Sequence, residues 1–168
     1  MGGAVGGAVG QAVNQGLAVF FDIGDTLASP VVEGGHLAGL DVYPFVPEVL
    51  TRLRSVGVDH TTVRVGLASN TTGVSAAEMD DLLARAGLQP LVDPALCLFS
   101  SVEGLDKRDP AFFALAHQRA GLPAARCVYV GEDAAERTVA ASAGLQVSPH
   151  PLHALHLVEQ ELATDPPG

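Results

Sequence analysis

The chain has 168 residues, which is enough for one domain with a sizeable core and too few for two ordinary domains. Its 19 acidic residues against nine Lys and Arg give a formal net charge of -10 at pH 7, which opposes nucleic acid as an electrostatic partner. No stretch approaches the roughly 20 apolar residues of a membrane span, and no basic segment precedes an apolar one near the first residue. We therefore predict a soluble, cytoplasmic protein without a nucleic-acid or membrane partner.

The first segment, residues 1–16, is dominated by Gly, Ala and Val. Its glycines disfavour both helix and strand, so the composition predicts a flexible N-terminal tail. Residues 164–168 are assigned to a short C-terminal tail. The folded domain is therefore expected over residues 17–163.

After the N-terminal tail, apolar runs that are typical of buried strands alternate with helical patterns. The predicted strands are residues 17–22, 63–68, 95–99, 126–130 and 145–148. The predicted helices are residues 44–56, 75–86, 110–120, 134–143 and 151–163. The third residue after Ser75 is Glu78, and this spacing predicts a capping box at a helix start. The alternation favours an α/β fold, a doubly wound, Rossmann-like parallel sheet of about five strands in a single domain.

Three polar clusters directly follow predicted strands. They are DIGDT at residues 22–26, SNTT at residues 69–72 and GED at residues 131–133. In parallel sheets, ligands bind at the carboxyl ends of the strands, close to the point where the strand order reverses. We therefore expect the three clusters to converge on one crevice.

The residues of these clusters suit phosphoryl chemistry. Asp22 can act as a nucleophile towards phosphorus, while Ser69 and Asn70 can donate hydrogen bonds to phosphoryl oxygens. Lys107 can neutralise the charge that develops there. The carboxylates available to a divalent cation are those of Glu132, Asp133 and Glu136. Taken singly, each residue also fits an ordinary turn, an N-cap or a solvated loop charge, and only their joint order favours a site.

This order of motifs resembles that of the haloacid dehalogenase (HAD) superfamily, over Leu17 to about Leu157. In the first motif, Asp22 matches the nucleophile and Thr26 matches the Thr of the family pattern. Ser69 matches the Ser or Thr that ends the second strand, and Lys107 of DKRDPAFF matches the Lys of the third motif. The segment VYVGEDAAE, residues 128–136, matches the acidic fourth motif. The resemblance implies a magnesium-dependent phosphohydrolase or phosphotransferase that works through an aspartyl-phosphate intermediate.

The same resemblance implies the ligands of Mg²⁺ and the kind of substrate. The metal would be held by Asp22, the backbone carbonyl of Gly24, and Glu132 or Asp133. The substrate would be a small phosphorylated molecule or a phosphorylated macromolecule. Because residues 28–62 are too short for a helical cap, the chain resembles the minimally capped members, in which an oligomer or a partner protein can close the site. The glycine-containing loop predicted at residues 28–43 would line the mouth of that site and be mobile.

Two positions depart from the pattern of the superfamily. Gly24 stands where the first motif has a second Asp that serves as general acid and base, and Asp25 comes one position later. Glu132 follows Gly131 where an Asp is usual. Asp25 is then the remaining candidate for the proton shuttle. The alternative is a HAD-like binding or regulatory domain in which catalysis has weakened.

Overall fold

The computed structural model of the protein describes residues 16–56 and 62–164, so the predicted tails lie outside the described residues except for Gly16 and Thr164. The strands are β1 (Leu17–Phe21), β2 (Ala28–Glu33), β3 (His36–Val42), β4 (Val63–Ser69), β5 (Cys97–Phe99), β6 (Cys127–Val130) and β7 (Gln146–Ser148). The helices are α1 (Val46–Ser55), α2 (Ala76–Arg85), α3 (Ser100–Glu103), α4 (Pro110–Ala120), α5 (Ala134–Ser142) and α6 (Pro151–Thr164). None of these helices is both long and apolar enough to cross a bilayer.

Five of the strands form one parallel sheet in the order β5-β4-β1-β6-β7. The chain starts at the central strand β1, runs outward through β4 and β5, and then returns to build β6 and β7 on the other side. The strand order therefore reverses at β1, where a ligand crevice is expected. All five residues of β1 are buried, as expected for a strand with helices on both faces. The predicted α/β fold with five parallel strands is confirmed.

The core is divided into two layers because successive side chains of a strand point to opposite faces of the sheet. Val19 and Phe21 of β1 belong to one cluster, and Ala18 and Phe20 belong to the other. The first layer contains side chains from α1, α2 and α6, and the second contains side chains from α4 and α5. The sheet is thus covered on both faces by helices of the same domain.

The predicted capping box at the start of α2 is confirmed. The Ser75 hydroxyl accepts a hydrogen bond from the Glu78 backbone N–H over 3.2 Å, and the Ser75 backbone N–H donates to Glu78 Oε2 over 2.7 Å. This local signal fixes where the helix begins, directly after the polar loop that follows β4.

The predicted loop at residues 28–43 was wrong in its secondary structure, since the segment forms an antiparallel hairpin of β2 and β3. Gly34 and Gly35 make its two-residue turn, both with positive φ (56° and 81°), the backbone that tight hairpins of this length require. These glycines therefore specify a turn and do not indicate mobility. The hairpin is joined to α2 by a hydrogen bond of 3.1 Å from Arg85 Nη1 to the Ala38 carbonyl oxygen.

Candidate active site

Asp22 lies directly after β1, at the carboxyl edge of the central strand. Its backbone N–H donates to the carbonyl oxygen of Val130 over 2.8 Å, which fixes the residue against the end of β6. The residue is only 8% exposed. Its Oδ1 accepts hydrogen bonds from the Ile23 backbone N–H at 2.9 Å and from Lys107 Nζ at 2.8 Å. The carboxylate predicted to be the nucleophile is thus held in one orientation at the point where the strand order reverses.

Lys107 is 2% exposed and lies in the segment between α3 and α4. Its Nζ contacts three oxygen atoms, those of Asp22 (2.8 Å), Glu136 (2.9 Å) and the Tyr129 hydroxyl (3.3 Å). An ammonium group has three N–H donors, so this side chain has one oxygen partner for each donor. One buried positive charge therefore lies between two carboxylates, and an anionic ligand must compete with one of these partners for the ammonium.

Tyr129 of β6 completes this cluster and was not predicted as a site residue. Its hydroxyl donates to Glu136 Oε2 over 2.9 Å, and its ring packs edge-on against Phe113. A Cβ at position 131 would lie 2.5 Å from the Tyr129 hydroxyl oxygen, so Gly131 is required where the ring passes. The sequence did carry a signal, because a Tyr within an otherwise apolar buried strand needs a partner for its hydroxyl.

The charge balance of the cluster is visible in two pKa shifts. Burial raises the pKa of the Asp22 carboxyl above its ordinary value, and the nearby Glu136 raises it further, while the ion pair and hydrogen bond with Lys107 oppose both effects. Burial, together with the negative charges of Asp22 and Glu136, also raises the pKa of Tyr129 far above its ordinary value. The tyrosine therefore stays a neutral hydrogen-bond donor, and the ionised form of Asp22 depends on Lys107.

The rest of the first motif forms a tight turn after Asp22. Asp25 is exposed and has a φ of 62°, a left-handed conformation that Asp adopts more readily than most residues. Its proposed role as the proton shuttle stays a prediction, since the described contacts do not join its side chain to the cluster.

Thr26 is buried, and its Oγ1 has no hydrogen-bond partner among the described residues. A buried hydroxyl without a partner is uncommon, and a water molecule, an ion or a ligand can satisfy it.

Ser69 and Asn70 lie at the end of β4, next to the turn of the first motif. Ser69 is buried, and the Asn70 side-chain oxygen accepts a hydrogen bond from the Lys107 backbone N–H over 3.1 Å. Both residues line a cavity of about 510 Å³ whose wall also contains Ile23 and Gly24. The predicted convergence of the first and second clusters is therefore present in the structure.

The fourth motif is arranged differently from what the resemblance implies. Glu132 and Asp133 are both exposed. The Asp133 side chain caps α5, because its Oδ1 accepts from the Glu136 backbone N–H at 3.0 Å. Glu136, one turn into the helix, is the acid of this motif that reaches Lys107. Because α5 begins directly after Asp133, the acid of this motif that faces Asp22 is Glu136.

The predicted magnesium ligands, Asp22, the Gly24 carbonyl, and Glu132 or Asp133, stay a prediction. Among residues 16–56 and 62–164, no three His, Cys, Asp or Glu side chains are close enough to hold a metal ion together. The predicted set needs only two carboxylates and a backbone carbonyl. Carboxylate and carbonyl oxygens suit Mg²⁺ chemically, so the residue types fit the metal.

No protein-family model and no curated protein sequence matches the chain. Solved structures do match it. An uncharacterized protein from Listeria monocytogenes serotype 4b has a TM-score of 0.70 at 16% identity, covering 86% of this chain and 99% of that one. A HAD-superfamily hydrolase of subfamily IA from Geobacter sulfurreducens has a TM-score of 0.64 at 13% identity, covering 84% and 99%. An L-2-haloacid dehalogenase has a TM-score of 0.60 at 22% identity, covering 73% and 58%.

These similarities establish the fold. The chain has the α/β fold of HAD-superfamily hydrolases and dehalogenases, as the order of its motifs predicted.

Proposed function

We propose that the protein is a HAD-type hydrolase that cleaves a phosphate ester through attack by Asp22. The observation that carries this proposal is the ion pair of 2.8 Å between Asp22 and Lys107, buried where the strand order reverses. A structural ion pair would gain little from such burial, because desolvation offsets most of its attraction. Perturbed carboxylates beside a cavity are typical of active sites, and Asp22 is such a group.

The proposed reaction has two steps. A carboxylate oxygen of Asp22 forms a bond to phosphorus while the bond from phosphorus to the alcohol oxygen breaks. The leaving oxygen takes the electron pair of that bond and a proton from the general acid, for which Asp25 is the candidate, and that acid regains a proton from the water of the second step. Water then attacks the aspartyl phosphate and releases inorganic phosphate, which regenerates the carboxylate. In this proposal Lys107, which donates a hydrogen bond to the Asp22 carboxylate, would neutralise charge on the phosphoryl oxygens. Ser69 and Asn70 would donate hydrogen bonds to the same oxygens.

The direct test is hydrolysis of an aryl phosphate, whose leaving group departs without a proton. We expect the wild-type protein to release phosphate and the Asp22→Asn variant to fall to the background rate, because the amide is not a nucleophile. The matched control is Asp41→Asn, which removes an exposed carboxylate from the hairpin. Equal turnover by wild type and Asp22→Asn would remove Asp22 from the mechanism.

Two further conditions belong to the same assay. Each ester is measured with and without Mg²⁺, since the proposal includes magnesium as the cofactor, held by Asp22, the Gly24 carbonyl, and Glu132 or Asp133. A 2-haloalkanoate is measured beside the esters, because one structural neighbour is a haloacid dehalogenase. If halide is released and phosphate is not, the substrate is a haloalkanoate and not a phosphate ester, while Asp22 stays the proposed nucleophile.

The second candidate is a HAD-like binding or regulatory domain with weakened catalysis, and Gly24 is the observation that favours it. A Cβ at this position would lie 3.5 Å from Pro30 Cγ, an ordinary contact, so a side chain can be added there. We expect Gly24→Asp to raise hydrolysis of an alkyl phosphate about tenfold or more, because the carboxyl group can protonate the leaving alcohol.

The control for this change is Gly24→Asn, which has the same size and no titrating proton. If the wild-type protein hydrolyses the ester only slowly, and Gly24→Asp raises the rate while Gly24→Asn does not, the result favours a domain in which catalysis has weakened. An unchanged rate with both variants indicates that the proton is supplied elsewhere, and Asp25 is then the first residue to test.

A further inference from the structure

The cavity beside Asp22 has a defined shape and place in the fold. It has a volume of about 510 Å³ and lies between the β2–β3 hairpin and the polar segment that follows β4. Cavities of ~300–1,000 Å³ take whole small-molecule ligands. Its wall includes Ile23 and Gly24, the two residues after the nucleophile, and also Ser69 and Asn70. Asp22 itself does not line the cavity, so the alcohol portion of a phosphate ester held at Asp22 would reach it past Ile23 and Gly24.

The wall of this cavity is almost free of charge. Pro30, Leu37, Leu40, Val74 and Met79 supply apolar surface. Ser69, Asn70, Thr71 and Thr72 supply neutral hydroxyl and amide groups. Among the described residues that line it, His36 is the only one with an ionisable side chain, and that side chain is exposed. The cavity thus offers hydrogen bonds and apolar contact, and no Lys or Arg that would pair with a second anionic group.

We propose that the substrate is a small phosphate monoester whose alcohol portion is uncharged and partly apolar. This inference rests on the proposed function for the identity of the reacting group. A second carboxylate or phosphate on the alcohol portion would lose its water in the cavity without gaining a countercharge, and such burial is costly.

The test is equilibrium binding of two non-hydrolysable probes to the wild-type protein, measured by calorimetry at pH 8. Benzylphosphonate carries a neutral apolar group, and phosphonoacetate carries a carboxylate in the same position. We expect benzylphosphonate to bind about tenfold more tightly, a difference of about 1.4 kcal/mol. Equal affinity, tighter binding of phosphonoacetate, or no binding of either probe would overturn the inference.

A charge placed in the wall should change this preference. Pro30 is exposed, lines the cavity and lies next to Gly24, so Pro30→Lys adds a cation there without removing a buried side chain. We expect this variant to reduce the preference for benzylphosphonate about tenfold, because the cation pairs with the carboxylate of phosphonoacetate. The matched control is Val31→Lys, since Val31 is 40% exposed and points to the opposite face of β2. If Val31→Lys changes the preference for benzylphosphonate as much as Pro30→Lys does, the net charge of the protein is responsible. That result would contradict the proposed role of the cavity.

Binding and turnover separate this inference from the proposed function. Selective binding of benzylphosphonate without hydrolysis of any ester would contradict the proposed reaction and support the assignment of the cavity. Hydrolysis that requires Asp22 but prefers esters with a second anionic group would support the reaction and overturn the assignment. A phosphorylated peptide that is hydrolysed faster than a benzyl or phenyl ester would also overturn it.

Discussion

Replacing Lys107 by Met is expected to destabilise the fold by about 3–5 kcal/mol at pH 8, the usual cost of leaving a buried charge without its partner. Met keeps the length of the side chain and removes the ammonium, so Asp22 and Glu136 would face each other with no positive charge between them. The measurement is the free energy of unfolding from urea denaturation. The matched control is Arg108→Met, which removes the neighbouring cation from an exposed pair with Asp106 and should lower the free energy of unfolding far less than Lys107→Met does.

The loss caused by Lys107→Met should also depend on pH. Burial already raises the pKa of Asp22, and removing Lys107 removes the main effect that opposes this rise. A carboxyl whose pKa is raised on folding stabilises the fold below its unfolded pKa, and this contribution is lost as the pH rises through the folded pKa. The destabilisation should therefore be smaller at pH 4 than at pH 8. Adding Asp22→Asn to Lys107→Met should recover part of the stability at pH 8. If Lys107→Met is as stable as Arg108→Met at pH 8, the result would contradict a buried ion pair between Lys107 and Asp22.

Gly66→Ala is expected to destabilise the fold by about 3 kcal/mol, at the upper end of the usual cost of overpacking a core. Gly66 lies in β4, paired with Phe20 of β1, and a Cβ there would overlap the carbonyl oxygen of Leu96 and lie 2.6 Å from the Leu96 Cβ. Backbone atoms cannot move aside as the end of a side chain can, so β4 and the turn before β5 would have to separate. The melting temperature should fall by about 6–12 °C.

The control for Gly66→Ala is another strand glycine with room around it. A Cβ on Gly39 of β3 would lie 3.8 Å from the Val31 Cβ, an ordinary contact. Gly39→Ala should therefore leave the melting temperature unchanged or raise it slightly, because Ala loses less backbone entropy than Gly on folding. Equal effects at both positions would show that the close approach of Leu96 to β4 is not rigid.

The parallel sheet could be predicted from the sequence because its strands have local signals. The buried strand β1 is an unbroken apolar run, and β4 is apolar apart from Arg64 and its last residue, Ser69. The Ser75 cap marks the start of α2. The hairpin could not be recognised in the same way. Its strands contain Ser29, Pro30 and Asp41, and their paired surface is largely exposed, so the alternation of apolar and polar residues is weak. The pair Gly34-Gly35 was the available signal for its turn.

The candidate site could be predicted in part, because some of its contacts follow from strand ends and some depend on helix geometry. Asp22 and Asn70 directly follow strands and Ser69 ends one, so the parallel sheet alone places them at one edge. The position of Glu136 depends on α5, which begins after Asp133 and turns the acid towards Lys107. The hydrogen bond from the Tyr129 hydroxyl to Glu136 depends on how closely β6 packs against α5, and this distance cannot be predicted from the spacing of residues in the sequence.

The base of the hairpin and the turn that carries Asp22 form one hydrogen-bonded unit. The Asp25 N–H donates to the Ala28 carbonyl oxygen at 2.8 Å, and the Ala28 N–H donates to the carbonyl oxygen of Ile23 at 3.1 Å. The Tyr43 N–H closes the other strand onto the Leu27 carbonyl oxygen at 3.0 Å. A rotation of the hairpin as a rigid body would therefore exert a torque on the backbone that orients the carboxylate. Movement of the hairpin and orientation of the Asp22 carboxylate are therefore expected to be coupled, so a hairpin taken from another protein should change how this carboxylate is oriented.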